Sequence, residues 1–182
     1  MTEQVLGQVF SILGMVITII SFQMKDRKQI LMMQTAGSAF FLISFLFLQS
    51  WAAVYLNIVY LARNIIFYFR NDAKWARHKA WLFALLIAVI AAGSLGYRTH
   101  WDILPIVGSI FGTVAAYMKN ENMFRVFKLG DSPCWLIYNI SVPSVGGSVC
   151  EIFNLISITI GLIRYRNKGF LAEKKGGNDE ND

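Results

Sequence analysis

Trp81–Tyr97 reads WLFALLIAVIAAGSLGY, a run without one charged or amide side chain. A helix rises 1.5 Å per residue and needs about 20 apolar residues to cross about 30 Å of hydrocarbon. With its flank from residue 80, this stretch comes close to that length. Three apolar blocks precede it, at residues 5–23, 29–48 and 51–70, and three follow it, at 101–118, 123–142 and 146–165. The block at 80–97 is therefore the odd crossing in the middle of seven. An odd number puts the two ends of the chain on opposite faces of a bilayer.

The basic residues say which face is which. The connections after the first, third and fifth blocks and the segment after the seventh, with the block ends beside them, hold Lys25, Arg27, Lys28; Arg70, Lys74, Arg77, Lys79; Lys119, Arg125, Lys128; and Arg164, Arg166, Lys168, Lys174, Lys175. The alternate segments hold Arg98 alone, and Arg63 stands inside a block. A charge pattern made only for solvation has no reason to alternate with hydropathy. Lys and Arg accumulate in cytoplasmic loops, so the N-terminus is expected outside and the C-terminus in the cytoplasm.

Composition agrees: 55% of residues are hydrophobic, 15% are charged and mean hydropathy is +0.48. Seven crossings use nearly the whole chain, so residues 1–170 read as one membrane domain. Residues 171–182 are polar and aperiodic and read as a disordered cytoplasmic tail. The first block carries Glu3 where a signal peptide has a basic region, and its apolar run is too long for one. The pI near 9.4 follows from topology and from attraction to anionic lipid, so no nucleic-acid partner is expected. Cys134 and Cys150 fall inside blocks at different depths and read as small buried side chains.

Shifting the chain by 94 residues aligns Phe10–Asp72 with Leu104–Arg166 without a gap. Identical pairs include Gly14/Gly108, Met24/Met118, Lys25/Lys119, Ser38/Ser132 and Arg70/Arg164. Polar punctuation in register is more telling than matches among apolar residues. The expected architecture is all-α: repeat one over 5–72, a linker helix over 80–97 and repeat two over 101–166, a 3+1+3 plan. Three crossings invert a unit, so the lone linker is what lets the second copy start from the same face as the first. Parallel repeats of this kind occur in carriers, with the site near the midplane between them.

Ionisable groups inside a bilayer cost about 2.5–3.5 kcal/mol on insertion scales, so they pair or line a cavity. Arg63 and Asp131 both fall about 10–12 Å from the cytoplasmic face, and an ion pair between them is the economical expectation. The alternative is separate snorkelling, with Lys128 as a partner for Asp131. Glu151 lies about 9 Å below the outer face and shares its repeat position with Asn57. Tyr60 and Asn154 form the next such pair, one turn deeper. Trp51, Trp75, Trp81 and Trp101 fall at interfaces, whereas Trp135 is mid-helix. Asn57, Tyr60, Trp135, Glu151 and Asn154 are thus the candidate contacts for a small polar solute; the alternative is that such side chains only bridge packed helices.

Catalysis is not expected. His78 and His100 lie on opposite faces, which rules out a histidine metal cluster. Asp131 and Glu151 differ in depth by about 9 Å in a core of about 30 Å, too much for a shared-proton dyad. Ser and Cys have no His base at their depth. No cofactor is expected.

The segments SFQMKDRKQILMMQ (Ser21–Gln34), LNIVYLARNIIFYFRN (Leu56–Asn71) and CWLIYNISVPSVGGSVCEIFNLISITIGLIRYR (Cys134–Arg166) resemble the bacterial inner-membrane proteins of the YgjV type, over nearly the whole chain. That resemblance implies a place among the SWEET, PQ-loop and PnuC-like carriers of sugars, vitamin precursors or amino acids, built on the 3+1+3 plan. Two of their hallmarks are altered. The Pro-Gln hinge of PQ-loop proteins corresponds to Phe22-Gln23 and Ala116-Tyr117, neither with proline. The paired asparagines of SWEET carriers correspond to Asn57 and Glu151, so an ordinary sugar is not implied.

The expected function is a multi-pass inner-membrane carrier or facilitator of a small polar solute, with the lipid bilayer as its other partner and a second copy of the chain as a further candidate. The alternative is a non-transporting scaffold or sensor on the same fold. The two differ in the central axis: a carrier needs a cavity reaching Asn57 and Glu151, whereas a scaffold packs the axis with aromatics such as Phe40, Phe41, Tyr138 and Phe153.

Overall fold

The computed structural model describes residues 2–21, 24, 27–118 and 120–176, and among these residues there is no strand. Seven α-helices follow one another: α1 (Thr2–Ser21), α2 (Arg27–Phe47), α3 (Trp51–Tyr68), α4 (Ala80–Gly96), α5 (Ile103–Tyr117), α6 (Glu121–Ser141) and α7 (Val145–Gly176). Single turns of 3₁₀-helix at Phe69–Asn71, Trp75–Arg77 and His100–Asp102 join α3, α4 and α5. Thr2–Ser21, Gln29–Phe47 and Val145–Ile163 are long and apolar enough to cross a membrane, and α4 is a shorter apolar helix. The paired Lys25 and Lys119 and the Phe22-Gln23 pair lie outside the described residues.

One boundary departs from expectation. α7 continues to Gly176, so residues 171–176 of the expected disordered tail are helical, while 177–182 lie outside the described residues. Leu171, Ala172, Glu173, Lys174 and Lys175 are good helix formers, and extending an existing helix avoids the cost of a new nucleus.

The helix ends are set locally. Gln49 has φ 55, the one non-glycine residue with positive φ among those described. That left-handed residue ends α2 and lets the backbone N–H of Ser50 reach the Phe45 carbonyl at 2.9 Å. At the end of α6, Ser144 N–H reaches the Asn139 carbonyl at 2.8 Å, and Pro143 prevents continuation. Asn120 caps α6, its side-chain oxygen accepting from the backbone N–H of Asn122 at 2.8 Å and of Met123 at 3.4 Å. Before α5, the Asp102 carboxylate accepts from the backbone N–H groups of Arg98 and Thr99 at 2.9 and 2.7 Å.

Each helix packs on its neighbour in sequence, α7 returns to α1, and α3 also touches α5. α1, α2, α3, α5, α6 and α7 therefore close into a ring, with α4 outside the α3–α5 seam. At one end, the Arg70 guanidinium of the α3 terminus donates to the Tyr117 carbonyl at the close of α5 at 2.9 Å. At the other end, Gln8 of α1 donates to the Pro143 carbonyl, and its amide oxygen accepts from Val145 N–H at 3.0 Å. α1, α3, α5 and α7 thus run one way and the even helices the other. The first of these ends also carries Lys74, Arg77, Lys79 and Arg125 and is called the basic end below.

The distribution of side chains is inverted relative to a water-soluble core. Ser11, Ser44, Asn57, Arg63, Asn64, Ser109, Thr113, Asp131, Ser132 and Asn139 are buried, while Ile12, Val16, Ile58, Ile65, Ile87, Ile140 and Ile156 are exposed. In lipid this arrangement is favourable, because outward apolar groups meet apolar solvent and polar groups must find partners inside. α4 shows it in miniature: Ile87 and Leu95 are 68% and 79% exposed, while Leu85, Val89, Gly93 and Gly96 are buried. Gly96 lies so close to α3 that a Cβ there would meet the Ala52 Cα at 2.5 Å.

Candidate functional site

Inside the ring lies a cavity of about 650 Å³. All five candidate residues, Asn57, Tyr60, Trp135, Glu151 and Asn154, line it, as do Arg63 and Asp131. Its walls extend from Gln34, Met118 and Arg125 at the basic end to Asn139 and Gly147 near the other. Phe45 of α2 and Trp135 and Tyr138 of α6 form one cluster, with ring centroids 6.0–6.5 Å apart, packed on Ala53, Val54 and Leu56 of α3 and Val89 of α4.

Tyr60 is the hub. Its ring is 5.9 Å from Trp135, and its hydroxyl accepts from Trp135 Nε1 at 3.0 Å and faces Asp131 Oδ1 at 3.5 Å. The Arg63 guanidinium lies over the same ring, 4.1 Å from its centroid. One tyrosine on α3 therefore links an indole, a carboxylate and a guanidinium. Asp131 is seated by what it faces: its carboxylate packs against Gly112 of α5, where a Cβ would come within 2.9 Å of Oδ1.

The expected Arg63–Asp131 ion pair does not form among the described residues. Asp131 pairs with Lys128, one turn back on α6, and Arg63 donates to the Asn64 side-chain oxygen at 3.2 and 3.4 Å while covering Tyr60. A lysine three residues away on one helix reaches the carboxylate without crossing the cavity, and the tyrosine ring offers the guanidinium a cation–π seat. Asn57 and Glu151 likewise do not bond to each other. Asn57 donates to the Ala53 carbonyl at 2.9 Å, and Glu151 accepts from Asn154 at 3.1 Å.

The four aromatics that the scaffold alternative would pack on the axis divide. Tyr138 is fully buried and Phe41 lines the cavity, but Phe153 is 50% exposed on the outside of α7 and Phe40 packs against Phe10. Phe45 of α2 meets Trp135 and Tyr138 of α6 across the axis, and the cavity extends from beside that cluster toward the basic end.

The model of the bacterial inner membrane protein family Imp-YgjV matches residues 5–169. The chain belongs to that family. It is 24% identical over 168 residues to the inner membrane protein YgjV of Escherichia coli K12, covering 91% of this chain and 87% of the relative. No solved structure matches. As an Imp-YgjV protein with apolar helices and an inverted interior, it is a membrane protein.

Sequence reasoning passed over three side chains that this family member places in its cavity wall: Asn64, Asn139 and Gln34. An amide inside an apolar helix is the signal that could have found the first two. Gln34 shares its 94-residue offset with Lys128, which the repeat alignment already contained. Among the described residues no three His, Cys, Asp or Glu side chains gather to hold a metal.

Proposed function

We propose that this inner-membrane protein is a carrier or facilitator of a small polar solute, built as two parallel three-helix bundles, α1–α3 and α5–α7, with α4 as linker. The register of the cavity carries this reading. Ten lining positions on α1–α3 recur 94 residues later on α5–α7, among them Thr18/Gly112, Gln34/Lys128, Phe41/Trp135, Asn57/Glu151, Tyr60/Asn154 and Arg63/Ser157. A void placed at random between helices has no reason to respect such an offset; a void on a pseudo-two-fold axis does. α2 and α6 also match at both ends, Arg27–Phe47 against Glu121–Ser141.

In the proposed cycle the two bundles rock about this axis. The positive-inside pattern orients the basic end to the cytoplasm, so the N-terminus is periplasmic, the C-terminus is cytoplasmic, and the present cavity faces inward. The periplasmic closure then consists of Gln8 bound across to Pro143 and Val145, with Gly146 N–H donating to Ser11 Oγ at 3.1 Å. Those contacts join α1 to α7, the seam between bundles that must part for outward opening.

The test is cysteine accessibility. With Cys134 and Cys150 replaced, an Asn57→Cys chain in oriented vesicles is expected to react with an impermeant thiol reagent from each face, and a solute that fills the cavity is expected to protect it from both. Reactivity from one face only, under every condition, would favour the scaffold or sensor reading.

A further inference from the structure

We infer that the solute this cavity takes is a small organic anion, a carboxylate or similar oxyanion, whose charge is met by Arg63. The inference deepens the carrier reading and rests on it.

Arg63 is 9% exposed and lines the cavity. Its guanidinium has a neutral amide oxygen and an aromatic face as neighbours, and among the described residues no carboxylate is within ion-pair reach. The two cavity carboxylates lie elsewhere. Asp131 holds Lys128, and Glu151, bonded to Asn154, belongs about 9 Å further along the axis, six residues from the register of Arg63. A buried cation left without a counter-ion is costly, and a bound oxyanion removes that cost. Two of the five donors of an Arg are spent on Asn64; the planar fork suits a carboxylate in the remaining ones.

The opposite wall fits the rest of such a ligand. Ser157 of α7, the register counterpart of Arg63, and Asn154, one turn away, both line the cavity and offer neutral hydroxyl and amide groups. Toward the basic end, Arg125 adds a further positive charge on the route of entry. A neutral sugar would leave Arg63 uncompensated, and a cationic group placed beside it would be repelled.

The experiment compares acids with neutral analogues on the purified full chain in phosphatidylcholine nanodiscs: gluconate against glucose, and acetate against acetamide, with sodium chloride added to the neutral arm to match ionic strength. Unfolding temperature and titration calorimetry are the readouts. The acid of at least one pair is expected to stabilise the protein where its neutral partner does not. Arg63→Gln is expected to weaken that binding about tenfold or more, while Arg63→Lys retains most of it. Equal or better binding of the neutral partners overturns the inference, as does no response to either acid at 50 mM or undiminished binding by Arg63→Gln. Should Arg63→Gln fail to fold, the wild-type pairs and Arg63→Lys decide. Nanodiscs containing phosphatidylglycerol separate a lipid headgroup from a soluble anion: abolished gluconate binding there overturns the soluble ligand, and unchanged binding supports it. Failure of the carrier reading is distinguishable, since one-sided reactivity at Asn57→Cys would leave the acid preference in place.

Discussion

α2 and α6 are the same length and begin and end 94 residues apart, yet they bring opposite chemistry to one cavity. At corresponding positions α2 presents Gln34, Gly37, Phe41 and Phe45, where α6 presents Lys128, Asp131, Trp135 and Asn139. The contact each makes with its preceding helix is filled from opposite sides. In the first half Thr18 of α1 fills the space over Gly37, where a Cβ would come within 2.5 Å of its Oγ1; in the second, Asp131 of α6 fills the space over Gly112 of α5. Small and large have exchanged helices while the backbone arrangement is kept. The lesson is that packing volume at this contact is constrained and charge is not. Two helices of one length and one offset can therefore hold an ion pair on one wall and neutral groups on the other.

The two helices should differ most at the aromatic position. Trp135→Ala is expected to destabilise by about 4 kcal/mol, because it empties a buried site and leaves Tyr60 without its indole donor. Phe41→Ala, at the matching and less buried position, is expected to cost about half as much. Denaturant unfolding in mixed micelles measures both; equal losses would mean that the two walls are packed alike.

The ion pair gives the next largest effect. Lys128→Ala leaves the Asp131 carboxylate, 2% exposed at its side chain, without its cation, at an expected cost of about 3 kcal/mol. Gln34→Ala is expected to cost under about 1 kcal/mol. Adding Asp131→Asn to Lys128→Ala is expected to restore most of the loss, whereas Arg63→Ala and Asp131→Ala should add to within about 0.5 kcal/mol. Strong coupling in the second cycle would reinstate the long-range pair.

Gly112→Ala sharpens the knob exchange. Its methyl group must displace the Asp131 carboxylate, for an expected loss of about 1–2 kcal/mol, and Gly112→Ala combined with Asp131→Gly should recover part of it. The smallest effect belongs to the α1–α7 seam. Gln8→Ala removes two cross-seam hydrogen bonds, which are worth about 1 kcal/mol, and is expected to raise thiol reactivity at Asn57→Cys from the outer face more than it lowers stability. A stability loss without a change in reactivity would make the seam a packing feature only.

Much of this was legible in the residues alone, because hydrocarbon imposes long-wavelength rules. Span length follows from bilayer thickness, and the charge alternation and the 94-residue offset are visible without any contact. Positions along a helix translate into depth at 1.5 Å per residue, which is why Asn57, Tyr60, Trp135, Glu151 and Asn154 could be placed at neighbouring levels; all five line one cavity. Depth carries no azimuth, however. Phe153, which only the scaffold alternative put on the axis, faces outward, and Asn64 and Asn139 were passed over although they line the wall.

Partner choice lay beyond the residues for the same reason. Equal depth suggested Arg63 for Asp131, but the contest was decided by rotation about the helix axes, which sets Lys128 beside the carboxylate and the Tyr60 ring beneath the guanidinium. Hydropathy and charge order, being one-dimensional, were enough to specify seven helices, several of them apolar, and the order of the polar groups along them. Which of those groups meet, which stay open toward the cavity, and that a void exists between them depend on helix rotation and side-chain volume, and only packing in three dimensions resolves those.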